Sequence, residues 1–469
     1  MKDFFISKLI PAAVLVGSVV LFLWLVRGDR TSGFSQRLPG LDGRPENAQA
    51  EIAAEVVGTL ETFDGAAAEL NGSWPCFRGA NLDIISTQDM PLSQSWPDHG
   101  PPLLWDIALG EGYAGAAVHK GRVYIVDYDR ENQKDAIRCL SLADGEEIWR
   151  YSYPINIKRN HGMSRTVPAV NDNFLVALGP KCHLTCLDSM TGELIWKKNL
   201  VAEFGTEVPQ WYAGQCPIIE GDRTIIAPAG TCMMMAIDLI TGDIIWDTPN
   251  PDDWDMTHSS ILPVSFMGKD VYIYCASRGV VGIAADTGEL LFKTDMWRIR
   301  IANVPSPVDL GGGKIFFSGG YNAGSMFAQL YDNEGSIDIK PILSIEADTF
   351  GSAQQTPVFF EGYIYGVRPD GQLVCLDTSG RVIWTSSSNE KFGLGPYMII
   401  NSNLYLMNDS GVVTIAAAQP AGYQMLARAK LLEGPDSWAP MAVADGRLLL
   451  RDMNRMVCID ITEGGLGDE

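Results

Sequence analysis

The chain has few basic residues for its size. Its 469 residues include 35 lysines and arginines against 57 aspartates and glutamates, a formal net charge of −22. Nucleic-acid phosphates and anionic lipid headgroups are bound mainly through lysine and arginine. The charge therefore argues against a nucleic-acid partner and against a broad docking surface on anionic lipid. The simplest interpretation of the acidic excess is that it keeps a large β protein soluble.

Motifs of several common site classes are also missing. The nine cysteines form no Cys-x-x-Cys pair, and the cysteines and five histidines have no zinc-ligand spacing. No phosphate-binding glycine loop is present, because Gly311-Gly-Gly has the pattern of a hairpin turn. Ser/His/Asp catalysis has no signal beyond isolated residues. The sequence thus predicts no catalytic residues and no metal site.

One long apolar run is present, from Leu9 to Val26. At about 1.5 Å per residue it would span roughly 27 Å of helix, close to the thickness of a bilayer core. No A-x-A-like cleavage site follows it and no cysteine lies just after it, which disfavours a cleaved signal peptide or a lipoprotein. We expect a short tail at residues 1–8, an uncleaved transmembrane signal anchor at 9–26, and an exported domain. Basic residues on both sides leave the orientation ambiguous.

A short pattern returns along the chain at a spacing of a little under fifty residues. Its best copies are Cys186-Leu-Asp-Ser-Met-Thr-Gly-Glu-Leu-Ile-Trp196 and Ala236-Ile-Asp-Leu-Ile-Thr-Gly-Asp-Ile-Ile-Trp246, and weaker copies end at Trp149, Phe292 and Trp384. In each copy, the aspartate binds backbone N–H groups of a turn in which the glycine takes a positive φ. An apolar strand with a large aromatic residue follows. Each copy predicts a β-hairpin, and a strand repeat of this period is typical of a propeller or solenoid.

Each unit also contains two strands before this hairpin. A turn-prone strand such as Thr166-Val-Pro-Ala-Val comes first, and a strongly apolar strand such as Arg122-Val-Tyr-Ile-Val comes second. Four antiparallel strands per unit make the blade of a β-propeller. Eight outer strands are expected, at Trp105, Trp149, Trp196, Trp246, Phe292, near Ile342, at Trp384 and near Leu426.

The two ends of the repeat region predict how the ring closes. The piece from Trp438 to Ile461 supplies three strands, and residues 103–108 form a strand with no inner partners of their own. Closure by residues 103–108 would leave no open end. Pro102 to Ile461 gives about 45 residues per blade for eight blades and about 51 for seven. We predict an all-β, eight-bladed propeller of four-stranded antiparallel blades at residues 73–462. A linker at 27–72, partly helical or disordered, precedes it, and a tail at 463–469 follows it.

The repeated aromatic residues are interpreted as packing groups between neighbouring blades, because large rings stabilise such contacts. This set comprises Trp105, Trp149, Trp196, Trp246, Phe292 and Trp384. Four cysteines recur at a strand position that Ala236 fills in another copy, so we expect a small buried site there. Cys182 and Cys232 lie four residues before this site in adjacent repeats. A disulfide between them is one alternative if the compartment is oxidising.

The loops before three of the first strands carry unusual side chains. They contribute a candidate ligand site at the mouth of the central channel, formed by Arg159, Asn160, His161, Arg165, Trp211, Tyr212, Trp254, Asp255 and His258. Arginine and histidine bind carboxylates and aromatic rings stack on planar groups, so the set fits an anionic or aromatic ligand. The alternative is structural: the same residues fill the funnel and cap backbone groups.

Three segments resemble a known family. The copy from Ala236 to Trp246 resembles the tryptophan-docking motif A-x-D-x-x-T-G-x-x-x-W of pyrroloquinoline-quinone (PQQ)-like propellers. Trp74-Pro-Cys-Phe-Arg-Gly-Ala-Asn resembles the W-P-x-F-R-G-x-N motif of a bacterial subgroup, and so does Asn160-His-Gly-Met-Ser-Arg-Thr-Val-Pro-Ala-Val170. These proteins are grouped with the outer-membrane assembly propeller BamB. The resemblance covers about residues 73 to 462.

The resemblance implies two functions. Quinoprotein dehydrogenases hold PQQ and Ca²⁺ in the funnel and carry a vicinal Cys-Cys pair. This sequence has no Cys-Cys dipeptide, no acidic cluster with calcium-loop spacing and no heme attachment motif. BamB-like members bind proteins without a cofactor. We therefore expect a membrane-anchored, non-catalytic protein-binding scaffold of envelope assembly, facing the periplasm from a bacterial inner membrane and bound to envelope proteins. The alternative is a periplasmic PQQ-dependent oxidoreductase with Ca²⁺.

Overall fold

The computed structural model describes residues 57–97 and 99–465, together with residues 15, 16 and 18. The predicted anchor at 9–26 lies almost entirely outside the described residues, as do most of the predicted linker and residues 466–469. In the described part, no helix has the length and apolar character needed to cross a membrane. The described residues from 57 onward lie within one compact unit.

Eight antiparallel blades form the propeller, as the repeat predicts. Apart from strands added at blade edges, each blade has four strands. The first four blades comprise β5 (Ala117–His119), β6 (Arg122–Asp129), β7 (Lys134–Ser141) and β8 (Glu147–Pro154); β9 (Ala169–Val170), β10 (Phe174–Leu178), β11 (His183–Asp188) and β12 (Leu194–Asn199); β13 (Ile218–Glu220), β14 (Arg223–Ile226), β15 (Cys232–Asp238) and β16 (Ile244–Pro249); and β17 (Leu262–Phe266), β18 (Lys269–Ala276), β19 (Gly279–Ala284) and β20 (Leu290–Thr294).

The second half of the ring repeats this arrangement. Blades 5 to 8 comprise β21 (Val308–Asp309), β22 (Lys314–Gly319), β23 (Gly324–Asn333) and β24 (Ser336–Ile345); β25 (Val358–Phe360), β26 (Tyr363–Val367), β27 (Leu373–Asp377) and β28 (Val382–Thr385); β29 (Tyr397–Ile400), β30 (Asn403–Met407), β31 (Val412–Ala417) and β32 (Met425–Lys430); and β33 (Ala442–Ala444), β34 (Arg447–Arg451), β35 (Arg455–Asp460) and β4 (Leu103–Ala108). A short helix, α1 (Leu200–Phe204), follows blade 2.

The ring closes through the N-terminal side of the chain. Strand β4 pairs antiparallel with β35, and Trp105 lies opposite Cys458. The innermost strands of blades 8 and 1 contact each other, as do those of blades 1 and 2. The last blade is therefore built from both ends of the repeat region, and separating those ends would open the ring.

In most blades the recurring pattern of large and small residues is a cross-strand pair. Cys186 lies opposite Trp196, and the next partners skip one residue through a bulge. Ala236 faces Trp246 and Gly282 faces Phe292 in the same way. The small side chain leaves room for the ring beside it, so cysteine acts here as a small apolar residue. All nine cysteines are buried free thiols, including Cys182 and Cys232, so the structure contains no disulfide between them.

Blades 5 and 7 invert this pair. In blade 5 the ring belongs to Phe327 on the third strand, and Leu343 takes the outer position. In blade 7 Ile415 faces Ala427. The outer residues therefore lie one position beyond Ile342 and Leu426, around which the sequence placed them. In both blades the larger member of the pair therefore lies on the third strand instead of the outer strand.

The outer tryptophans also contact the following blade. Trp149 packs on Gly192 of the Thr-Gly turn in blade 2, so closely that a Cβ on this glycine would lie 2.6 Å from the indole. Trp196 packs on Gly242 in the same way, and its Nε1 donates to the carbonyl of Leu239 at 2.9 Å. The turn glycine thus supplies a positive φ and a flat surface for the ring.

The folded part of the chain begins before residue 73, where the sequence predicted the start of the propeller. Strand β1 (Thr59–Thr62) pairs antiparallel with the outer strand of blade 1, and Thr62 lies opposite Trp149. The described end of the predicted linker is therefore a fifth outer strand rather than a helix or a free spacer. It covers one blade edge that would otherwise present unpaired backbone groups.

The next segment crosses the central channel and closes one end of it. Strand β2 (Ser73–Trp74) pairs with the innermost strand of blade 1, and β3 (Ile85–Ser86) pairs parallel with that of blade 7. Between them Arg78 is buried, and its guanidinium donates to the carbonyls of Ile261 at 2.9 Å and Pro307 at 3.4 Å. This burial lowers the pKa of Arg78 to about 10. We call residues 73–86 the plug.

Replacing Arg78 with alanine is expected to destabilise the propeller by about 2 to 3 kcal/mol, because two buried carbonyl groups lose a charged donor. Urea unfolding followed by tryptophan fluorescence measures this change. Arg130→Ala is the matched control, since Arg130 is exposed and makes one 3.5 Å ion pair with Glu111, and it should change stability by less than about 0.5 kcal/mol. Equal effects of the two substitutions would contradict the role of the plug.

Candidate functional site

A cavity of about 420 Å³ lies at the mouth of the channel where the innermost strands begin. Loops from several blades meet there because each blade starts beside the channel axis. Phe77 of the plug and Cys216 line it, so the cavity contacts the segment that crosses the channel. We call this cavity the funnel. Its size is that of a small-ligand pocket.

Four of the nine predicted site residues line the funnel: His161, Arg165, Trp211 and His258. The sequence placed them together because they precede innermost strands of adjacent blades. Aromatic residues that the sequence did not single out complete the wall, and these are Tyr113, Tyr321 and Trp438. Their positions before or between inner strands are the only sequence signal they carry.

Arg165 joins two of the loops around the funnel. Its guanidinium donates to the carbonyls of Asn160 at 3.1 Å and His161 at 2.7 Å, and also to that of Trp211. It lies 5.0 Å from the ring of Tyr113 in a cation–π contact. Burial lowers the pKa of Arg165 to about 10. Most of its donors are thus used by the backbone, as the structural alternative requires.

His258 is a funnel residue with a buried polar atom that lacks a partner in the described chain. Its ring lies 6.2 Å from that of Trp211, and its buried Nε2 has no hydrogen-bond partner in the described chain. Burial, with a smaller contribution from the Arg165 charge, lowers the pKa of His258 to about 4. The imidazole is therefore neutral near pH 7, and its unpartnered Nε2 is fully buried.

The other five predicted residues do not line the funnel. Exposed Arg159 pairs with Glu111, and Asn160 contributes its carbonyl to Arg165. Tyr212 is buried and donates to the carbonyl of Lys158 at 2.5 Å. The remaining two serve blade 4: Lys293 lies 4.3 Å from the ring of Trp254, and the backbone of Asp255 bonds with Ser277.

Two aromatic residues of the wall are held by fixed partners. Tyr113 and Trp438 stack at 5.2 Å with an interplanar angle of 26°. The hydroxyl of Tyr113 donates to Asp436 at 3.2 Å, and Nε1 of Trp438 donates to Asp409 at 2.7 Å. These bonds orient the rings before any ligand arrives, which reduces the entropy cost of binding.

Comparison with known proteins agrees with the fold. The family model described as outer membrane protein assembly factor BamB matches residues 133–386, which is more than half of the chain. The chain belongs to this family. None of the curated proteins matches it.

Solved structures similar to this BamB-family chain share its fold at low sequence identity. BamB from Moraxella catarrhalis has a TM-score of 0.53 and 15% identity, over 76% of this chain and 99% of that one. A europium-containing methanol dehydrogenase has a TM-score of 0.58 and 12% identity, over 81% and 89%. The computationally designed Ika8 protein has a TM-score of 0.50 and 11% identity, over 77% and 100%. The same fold thus occurs in an assembly factor and in a dehydrogenase, and function must be argued from the site.

The funnel of this family member does not fit a calcium-bound quinone. No aspartate or glutamate lines it in the described part of the chain, whereas Ca²⁺ is held mainly by carboxylate and carbonyl oxygens. No group of three or more histidine, cysteine, aspartate or glutamate side chains among the described residues is arranged to hold a metal ion. Arg165, the one arginine in the wall, already bonds to backbone carbonyls.

His258 also predicts a response of stability to acid. Its folded pKa of about 4 lies below the ordinary value of 6.5, so the unfolded chain takes up the proton first as the pH falls. Its contribution to the free energy of unfolding is complete above pH 6.5 and is lost between pH 6.5 and 4. In the His258→Gln variant, the stability lost on acidification should be smaller than in the wild type by about 1 to 3 kcal/mol.

Urea unfolding at pH 7.5 and pH 4.5 measures the difference. His183 is a matched second site, because burial also lowers its pKa to about 4. The single variants should each reduce the acid loss, and the double variant should reduce it by about the sum. Parallel curves for wild type and both single variants would show that the imidazoles do not govern acid stability.

Proposed function

We propose that this protein is a non-catalytic binding module of a bacterial cell envelope. It is anchored in the inner membrane by residues 9–26, carries its propeller in the periplasm, and docks envelope proteins in the manner of an assembly scaffold. Membership of the BamB family supports a role in assembly. The uncharged run from Leu9 to Val26 supports the anchor.

The observation that carries the proposal is the composition of the funnel. Its charged group, Arg165, is committed to backbone carbonyls, the imidazole of His258 is neutral, and most of the remaining wall consists of aromatic and other apolar residues. Such a wall suits recognition of apolar and aromatic groups, which dominate the energetic centre of protein interfaces. Among the described residues, its lining contains no carboxylate that could act as a general base.

Affinity purification after cross-linking in the native membrane tests the proposal. The full chain, carrying a C-terminal tag, should retain specific envelope proteins that are absent from a purification of the anchor segment alone. Retention of no protein would remove the main support for a scaffold.

Quinone titration of the full chain in detergent tests the alternative oxidoreductase. Neither saturable binding of PQQ with Ca²⁺ nor dye-linked alcohol oxidation is expected. Observation of both would replace the scaffold with a quinoprotein dehydrogenase.

A further inference from the structure

Resting on the proposed function, we propose that the outer edge of blade 3 is a docking surface for an extended strand of a partner protein, and that this strand carries a basic residue opposite Asp247. The partner strand pairs antiparallel with β16, the outermost strand of that blade. This strand shares no residue with the lining of the funnel. The proposal defines both the conformation and the charge of the segment that binds.

Blade 1 shows that an outer edge of this ring accepts an added strand. Strand β1 pairs antiparallel with β8, and the backbone N–H of Phe63 donates to the carbonyl of Ile148 at 2.9 Å. Leu60 of β1 also reaches the Thr-Gly turn of blade 2, where its Cδ1 would lie 2.9 Å from a Cβ on Gly192. The added strand thus lies between the outer edge of one blade and the turn of the next.

The edge of blade 3 has the same construction without an added strand. Among the described residues, β16 pairs only with β15. Trp246 packs on Gly288 of the blade 4 turn, as Trp149 packs on Gly192. Thr248 Oγ1 donates to the carbonyl of Gly288 at 2.7 Å, so this turn is held against the outer strand. A sheet edge of this kind recruits an extended segment through backbone pairing.

The residue that the bulge leaves without a cross-strand partner shows which edges are covered. In blade 1 this residue is Ile148, which is half-buried at the edge that β1 covers. In blade 4 it is Leu291, which is half-buried where β24 of blade 5 contacts the outer strand. In blade 3 it is Ile245, which is 51% exposed, and Ile244 beside it is 40% exposed. Blade 3 therefore exposes apolar side chains where blades 1 and 4 cover them.

The charge of the partner strand follows from a comparison of the two edges. In blade 1, Glu61 of the added strand lies opposite Arg150. Asp247 follows Trp246 as Arg150 follows Trp149, so Asp247 takes the position of this arginine in blade 3. Asp247 is exposed, and its carboxylate makes no ion pair within the described chain. A lysine or arginine in the partner strand completes a cross-strand pair of opposite charge.

A cavity of about 420 Å³ beside Ile245 has the same sign of charge. Three carboxylates and one basic residue line it, and these are Glu220, Asp222, Asp238 and Arg223. Arg223 donates to Glu220 at 2.7 Å, so two of the carboxylates have no ion pair in the described chain. On a protein whose net charge is −22, this surface attracts a basic segment and repels an acidic one.

Fluorescence anisotropy on the full chain in detergent provides the test. The probe is a labelled synthetic peptide with the sequence of residues 57–64 of this chain and the substitution Glu61→Lys. We expect saturable binding that weakens at least fivefold for the unsubstituted peptide, whose glutamate would face Asp247. N-methylation of residue 61 should also weaken the probe at least fivefold, because alternate residues of a strand, counted from Phe63, direct their N–H groups to one neighbour.

The variant Asp247→Lys locates the site, since an exposed side chain is replaced and the packed core is unchanged. It should bind the unsubstituted peptide at least fivefold more tightly than the Glu61→Lys peptide, which reverses the preference of the wild type. Asp348→Lys is the matched charge reversal at an exposed residue beyond β24 and should keep the wild-type preference. No saturable binding by the wild type, or the same preference in all three proteins, would overturn the strand site.

Cross-linking in the native membrane separates this site from the proposed function. We expect Asp247→Lys to lose envelope proteins that the wild type and Asp348→Lys capture. Equal capture by all three would overturn the strand site as the place where the partner docks, while the scaffold stands. If the peptides bind as predicted and the wild type captures no envelope protein, the scaffold fails and the strand site remains.

Discussion

Replacing Trp149 with alanine is expected to lower the free energy of unfolding by about 3 to 5 kcal/mol. Trp149 is 1% exposed, packs on Gly192 of blade 2 and lies 6.0 Å from the ring of Tyr124. The substitution leaves a cavity between two blades, where neither sheet can move without disturbing the ring. Urea unfolding at equilibrium measures the loss.

Two further variants separate volume from other effects. Trp149→Phe should cost clearly less than Trp149→Ala, because Nε1 of Trp149 has no hydrogen-bond partner in the described chain and only part of the volume is lost. Tyr321→Ala, at an exposed aromatic residue, should change stability by less than about 0.5 kcal/mol. A loss below about 1 kcal/mol for Trp149→Ala would contradict the docking role of the tryptophan.

The second large effect is a coupling between Cys186 and Trp196, which lie opposite each other in blade 2. Cys186→Phe should destabilise by about 3 kcal/mol through overpacking, and Trp196→Leu by a similar amount through lost volume. The double variant reproduces the inverted pair of blade 5, in which Phe327 faces Leu343. It should therefore be more stable than the sum of the single effects by about 1 to 3 kcal/mol.

A distant pair provides the control for this cycle. Combining Cys186→Phe with Trp384→Leu, in blade 6, joins residues that share no partner, so their effects should add within about 0.5 kcal/mol. Additivity in both cycles would show that the size exchange in blade 5 is not the reason that the blade tolerates a missing tryptophan.

The repeat made most of the ring predictable. The Asp-x-x-Thr-Gly turn fixes a hairpin by local chemistry, and the aromatic residue after it marks the outer strand, so blades such as that of Trp246 can be read directly. The same motif does not identify the outer strands of blades 5 and 7, because the larger residues, Phe327 and Ile415, lie on the third strand. Their volume is complementary across strands, and a one-strand motif does not detect this.

The site was only partly predictable for a different reason. Loops before adjacent inner strands must meet at the channel, which brought His161, Arg165, Trp211 and His258 together. Neighbouring side chains in one loop can differ in direction, and Tyr212 is buried while Trp211 lines the funnel. Phe77 reaches the site because the plug pairs with blades 1 and 7. The sequence indicated a motif at this segment but did not predict that it crosses the channel.

Site-specific photo-cross-linking in the native membrane tests most directly whether this face of the propeller meets another protein. A photoreactive amino acid at Tyr321 places the probe at the mouth of the funnel, and the same residue at exposed Met267 serves as the control on blade 4. We predict a discrete protein adduct from position 321 that is absent from position 267. Adducts of equal yield from both positions, or none from position 321, would contradict the proposed binding face.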